Sequence, residues 1–318
     1  MLRFALLIVF TLLAASGAKA AACTVEIGDL AFGSVDSLFA APTDSVASVR
    51  IDCVQVTPGA AQVVVCLHLG AGSGGAVGGV RQLTSGGRTL AFQLYQDGGY
   101  GSPWGSRDAP SLGAPRRVVA VVSGEVASAT IDLFGRVPGG QSTAAAGRYD
   151  SSFVGADTVF EFAEGDLDCN ASGGAGTGQA AFSVQADIPA NCLVEAGDID
   201  FGEHGVIDRA VDAEARIAVT CTPETGYSVT LGPGLGGGTD PEQRILRAGS
   251  DLAIYGLYLD PARSQPFGSS LETRLPGTGT GTQQTVPVYG RVPPQPVRPG
   301  TYSDTVAVTI TYGDGSGL

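Results

Sequence analysis

The sequence predicts an all-β protein of two tandem Ig-like β-sandwich domains, the second lacking its final strand. Three observations predict it. Short runs alternating apolar and polar residues recur along the chain, separated by glycine and proline, with 48 Gly and 18 Pro against a single Met. One succession of motifs occurs twice in the same order, as expected for a duplicated β module. A strand-like segment, residues 180–188, precedes the second copy and has no counterpart before the first or after the second.

The elements follow in order. Arg3, the apolar run from Phe4 to Ala15 and Ala18-Lys19-Ala20 form a positive region, an apolar stretch and an A-x-A site. This pattern predicts a signal peptide over residues 1–20, and the run is too short to span a bilayer. The expected product is secreted, with domains at 21–188 and 189–318. The formal net charge is −13, or −15 once Arg3 and Lys19 are removed, and Lys19 is the only lysine. Such a chain is poorly suited to nucleic acid or anionic lipid.

The first copy opens with CTVEIGDLAFG at 23–33 and the second with CLVEAGDIDFG at 192–202. The next cysteine comes 30 residues after Cys23 and 29 after Cys192. LAFQLYQD from Leu90 answers LAIYGLYLD from Leu252, and each is followed by a P-[WF]-G triplet carrying Trp104 or Phe267. TIDLFGRVP from Thr130 answers TVPVYGRVP from Thr285, and GRYDSSFV from Gly147 answers GTYSDTVAV from Gly300. The first copy is longer after Trp104, where RRVVAVVSGEVASAT (116–130) predicts an extra hairpin.

All six cysteines lie past the leader, and their number is even in an oxidising compartment, so disulfides are expected. Repeat equivalence pairs Cys23 with Cys53 and Cys192 with Cys221, leaving Cys66 for Cys169. Closing a loop of about 30 residues contributes roughly 3–4 kcal/mol in the chain-entropy model.

After its Tyr149 strand the first copy runs through a Gly/Ser-rich loop (163–179) into the strand 180–188, which presents Phe182, Val184, Ala186 and Ile188 on one face. The second copy ends on TYSDTVAVTITY, with Tyr302, Val306, Val308, Ile310 and Tyr312 on one face, and only GDGSGL follows. A sandwich short of a strand exposes an apolar groove and an unpaired backbone edge. Burying Phe182, Val184 and Ile188 amounts to about 5–9 kcal/mol as an upper figure. The first domain is expected to be completed in cis, and the second to await a strand from elsewhere.

The CxVExGxxxFG openings, the second cysteine of each copy and the G-x-Y-S-D-T-V-x-V-T-I-x-Y ending resemble spore coat protein U domains, the pilin module of archaic, Csu-type chaperone–usher pili. In that family a pilin carries its donor segment just before its first cysteine. The resemblance implies that 180–188 is such a segment, here linked to a preceding domain, and that the lack of one before Cys23 marks a tip adhesin. The partners it implies are a periplasmic chaperone, an outer-membrane usher, an adjacent pilin, and an abiotic or host surface. It places the protein at the cell surface, at a pilus tip reached through the periplasm, in attachment and biofilm formation. Binding to apolar surfaces through hydrophobic tip loops makes Val54, Val56, Val121, Val122 and Val126 candidates. The loops 54–61, 85–89, 121–127 and 163–179 are expected at the pole distal from the second domain.

The sequence offers no enzyme, cofactor or metal signature. His68 and His204 occupy non-equivalent places, and no Ser/His/Asp spacing surrounds them. Asp166, Asp168 and Asn170 imitate the start of an EF-hand loop, but Ala171 and Thr177 stand where Gly and Glu are needed. The glycine runs at 70–79 and 232–238 are followed by neither a helix pattern nor lysine, and read as strand connections. Asp29 and Asp198 recur in both copies, as expected of a turn. Alternative readings are a spore- or cell-coat structural protein, or a sugar-binding module using Trp104 and Tyr100.

Overall fold

The computed structural model describes residues 20–239 and 241–313. The expected signal peptide, up to Lys19, lies outside the described residues. The first sandwich contains β1 (Ala22–Ile27), β2 (Leu30–Ser34), β3 (Thr43–Val54), β4 (Val63–Leu67), β5 (Ala76–Val77), β6 (Val80–Ser85), β7 (Arg88–Tyr95), β8 (Arg116–Ser123), β9 (Val126–Val137), β10 (Gly147–Phe153), β11 (Val159–Glu164), β12 (Gly176–Gln179) and β13 (Phe182–Ile188). The second contains β14 (Cys192–Ala196), β15 (Val211–Cys221), β16 (Gly226–Leu231), β17 (Arg244–Ala248), β18 (Asp251–Tyr258), β19 (Leu275–Thr278), β20 (Gln284–Val292) and β21 (Val308–Gly313).

Alternation decides the faces. In β3, Ala47, Val49, Ile51 and Cys53 are buried, while Ser48 and Arg50 between them are exposed. One layer of the first domain runs β1–β3–β9–β7–β6, and the second domain repeats it as β14–β15–β20–β18–β17. The opposing layer, β8–β4–β11, returns as β19–β16–β21. The extra hairpin is β8–β9: residues 116–120 pair with β4, then 121–123 cross to β9. A third ladder, β10–β13–β2, belongs to the first domain, and among the described residues the second domain has no equivalent.

Both cores hold a buried arginine that the sequence reading missed. Arg81 donates to the carbonyls of Leu69 and Trp104, and Arg244 to those of Gly232 and Phe267. Burial lowers the Arg81 pKa to about 9, against a weaker opposing effect of Asp157, so the group stays cationic at neutral pH with carbonyl acceptors. The signal for it was present as a shared R-x-L after the glycine-rich loops. Trp104 and Phe267 fill matching core sites and are fully buried, and Trp104 Nε1 donates to Leu67 O at 3.1 Å.

The domains follow each other head to tail. Asn191 Nδ2 donates to Asp36 Oδ2 at 2.9 Å, and Arg88 pairs with Glu224 at 2.7 Å. These contacts put the 85–89 turn at the junction, which corrects its expected distal position: β6 and β7 bring it beside Gly147, where Arg88 also reaches Ala146 O. The expected loop 163–179 also contains a strand, β12, paired with β11.

Candidate strand-acceptor groove and distal surface

The first domain shows how its gap is filled. β13 lies antiparallel to β10, with Phe153 opposite Phe182, Ser151 opposite Val184, Tyr149 opposite Ala186 and Gly147 opposite Ile188. On its other side β13 runs parallel to β2, with Val184 opposite Leu30. Phe182, Val184, Ala186 and Ile188 are all buried and join the main core, and Phe182 stacks on Phe153 at 4.5 Å between centroids. The small Ala186 leaves room for Tyr149, whose hydroxyl donates to Ala145 O. The insertion begins upstream: β12 pairs with β11, and Ala180 N donates to Thr158 O, so residues 176–188 follow one continuous edge. Gly176 and Gly178 face Phe162 and Phe160, and a Cβ at either glycine would lie 2.2 Å from a ring atom.

Asp29 has a role different from the expected turn. Its Oδ1 accepts the backbone N–H of Ser183 at 2.7 Å, tying β13 to the start of β2.

The second domain has the same walls without the filling. Residues 199–203, which correspond to β2, form no ladder, and Tyr302–Val306, which correspond to β10, form no ladder either, only an isolated β-bridge of Ser303 to Arg247. Between them lies an open groove of about 1080 Å³, lined by Ile199, Phe201, Tyr255, Tyr302, Val306 and Val308 among others. Ser303 exchanges backbone hydrogen bonds with Arg247 of β17, while Thr305 O accepts from Leu235 N and Ala307 O from Gly232 N in the connection after β16. Strand alternation turns the backbone groups of Tyr302, Asp304 and Val306 toward the groove. Leu30, Phe32, Tyr149 and Phe153 are buried, while their counterparts Ile199, Phe201, Tyr302 and Val306 are half-buried. Within β21, Val308 and Ile310 are half-buried and Tyr312 is exposed. Asp304 accepts from Gly236 N and from the Tyr255 hydroxyl, at 2.8 and 2.6 Å. Burial, then this bond, raises the Tyr255 pKa above its ordinary value.

Cys23–Cys53 and Cys192–Cys221 each join the first strand of a domain to its partner, the former at the distal pole and the latter beside the domain junction, and Cys66–Cys169 pins the 164–170 loop onto β4 beside Val64 and Leu167. Val54 and Val126 are direct cross-strand partners on the outer face, with Val121 one diagonal step away. Val121 is 74% exposed, Val126 50% and Val54 48%, and Val119 extends the patch on the same strand face. Two candidates are corrected. Val56 is 1% exposed, because Gln55 adopts φ 59° and turns the chain back into the core. Val122 points inward and packs against the core.

The remaining candidates are accounted for locally. Asp166 pairs with Arg117 at 2.6 Å, and Asp168 accepts the Asn170 N–H in a turn. His68 is buried, and burial, then the Arg107 charge, lowers its pKa. Tyr100 lies beneath Arg136, whose Cζ is 3.6 Å from the ring centroid. With Trp104 buried as well, these two aromatics form no open platform for a sugar.

Fold and groove together define a class: β-sandwich modules in which one position of the sheet is filled by a strand from elsewhere in the sequence. The chain belongs to the Spore Coat Protein U domain family, matched at residues 9–155 and 179–309. The second match begins at Gln179, so β13 belongs in sequence to the second module while completing the first in space. Protein U of Myxococcus xanthus is 35% identical over 155 residues, covering 43% of this chain and 87% of that protein. Among solved structures, a chain of the CsuC–CsuE chaperone–tip adhesion subunit pre-assembly complex from archaic chaperone–usher Csu pili of Acinetobacter baumannii is similar in fold. It has a TM-score of 0.51 at 16% identity, over 91% of this chain and 99% of that one. The CupB6 tip adhesin of Pseudomonas aeruginosa aligns with a TM-score of 0.40 at 15% identity, over 93% and 95%. The family carries the name of a spore coat protein, and the two solved structures carry the names of a tip adhesion subunit and a tip adhesin.

Proposed function

We propose that the chain is the tip adhesin subunit of an archaic chaperone–usher pilus, reaching the cell surface through the periplasm and attaching cells to an abiotic or host surface during biofilm formation. The first domain is the head, already complete because β13 fills its gap. The second is the coupling domain, which takes a strand first from a periplasmic chaperone and then, at the outer-membrane usher, from the adjacent pilin. One observation carries the reading: the groove between Ile199–Phe201 and Tyr302–Val306 lies where β13 lies in the first domain. The head-to-tail arrangement supports it, since the valine patch lies at the end away from the second domain.

Hydrogen exchange on the full chain tests this, alone and co-produced with a periplasmic chaperone of such a system. Amides of 147–153 should be protected in both samples, and those of Tyr302, Asp304 and Val306 only with the chaperone. Equal protection of these three in the free monomeric chain would overturn the proposal.

A further inference from the structure

In the first domain, a side chain outside the ladders ties down β13 itself: Asp29, through the Ser183 N–H at 2.7 Å. The second domain keeps this device. Asp29-Leu30-Ala31-Phe32-Gly33 corresponds to Asp198-Ile199-Asp200-Phe201-Gly202. The preceding glycine is fixed alike in both, Gly28 N donating to Ser48 O at 2.9 Å and Gly197 N to Arg216 O at 3.0 Å. The chain beyond it packs on a matched glycine: a Cβ at Gly135 would meet Leu30 at 2.3 Å, and one at Gly290 would meet Ile199 at 2.5 Å. Asp198 is exposed and lines the open groove.

We propose that Asp198 sets the register of the strand that completes the second domain, by accepting the backbone N–H of the residue just before the one that lies beside Ile199. This rests on the reading of the groove as a strand acceptor. The occupant is an extended segment of a partner chain, running antiparallel to Tyr302–Val306 and parallel to 199–203. It carries apolar side chains at alternate positions, large opposite Val306 and small opposite Tyr302, as Phe182 and Ala186 are in the first domain. Register needs such a pin. A slip of one residue would turn the apolar face to solvent, and a slip of two would set a large side chain against Tyr302. An N–H left without an acceptor loses a charge-assisted bond as well as its water.

The test uses a fluorescent peptide with the sequence of residues 176–190, added while the full chain refolds, with capture read by anisotropy. The wild-type chain should bind it. Asp198→Ala should weaken binding by about tenfold or more, and Asp198→Asn, which keeps an acceptor oxygen, by no more than about threefold. N-methylation at the Ser183 position should weaken binding to the wild type and add no loss to Asp198→Ala. Equal affinity of wild type and Asp198→Ala, or the same N-methyl penalty in both, would overturn the role of Asp198 while leaving the acceptor groove intact. Failure of the wild-type chain to bind the peptide at all would overturn the groove reading itself. A dimer of the chain that excludes the peptide would make a second copy the occupant, against the partner segment proposed.

Discussion

Tyr149 and Tyr302 make the same hydrogen bond, hydroxyl to the carbonyl four residues upstream, at 2.9 and 3.0 Å. Tyr149 is fully buried and Tyr302 is not. The difference is the strand over Tyr149. A bond shielded from water contributes more than one that competes with it. Tyr149→Phe should therefore destabilise the first domain by about 1–2 kcal/mol, and Tyr302→Phe should cost less than about 0.5 kcal/mol in the free chain. Trp104 is the only tryptophan, so its fluorescence during urea unfolding reports the first domain separately.

Removing the ring of Phe182 should be among the more damaging single changes to the first domain. The ring is 5% exposed and stacks on Phe153. Phe182→Ala should cost about 3–5 kcal/mol, read by the same Trp104 transition. If β13 only lay on the surface, the loss would stay below about 1 kcal/mol.

The Cys66–Cys169 bond closes a loop 103 residues long. In the chain-entropy model a crosslink of that span contributes about 4–5 kcal/mol. Cys66→Ala with Cys169→Ala should lower the stability of the first domain by up to that amount. The 164–170 segment should also become a site of proteolytic cleavage, because its apolar anchor Leu167 is otherwise held against Val64.

How much of this was legible in the sequence varies with the physics. The period-2 runs, the duplication and the strand at 180–188 are local or repeated signals, and chain order alone exposed them. The recurrence of the two arginines was legible as the shared R-x-L, but their burial and the Asp29–Ser183 bond were not, because each depends on carbonyls or an N–H brought from distant strands. Val56 was misread because one left-handed residue, Gln55, reverses the expected alternation. The 85–89 turn was misplaced because pole assignment needs the direction of β6 and β7 relative to β10, which composition does not encode.

Acid should weaken the first domain through two groups whose folded pKa values are depressed. The Arg107 hydrogen bond holds Glu161 below its ordinary 4.5, and burial holds His68 below its ordinary 6.5. In both cases the unfolded chain binds the proton more readily. Stability is therefore full above the unfolded value and falls as pH drops through the folded one, first for His68 and then for Glu161. His68→Gln should flatten the decline just below pH 6.5, and Glu161→Gln the decline below pH 4.5. Trp104-monitored unfolding from pH 7 to pH 3 measures both, and an unchanged slope in either variant would contradict the assignment.

The distal valines allow the proposed adhesion to be separated from folding. Val54, Val121 and Val126 sit on the outer face of β3, β8 and β9 and are mostly exposed, so polar replacements there should change stability by no more than about 0.5 kcal/mol each. Contiguous exposed apolar area is what an apolar substratum would engage. Val54→Ser, Val121→Ser and Val126→Ser combined should therefore reduce adsorption of the purified chain to a hydrophobic plate while leaving the Trp104 transition in place. Val56→Ser is the matched control: its side chain is buried, so it should lower the unfolding midpoint and leave adsorption of the still-folded fraction unchanged. Full adsorption by the triple variant would remove this patch from the binding surface.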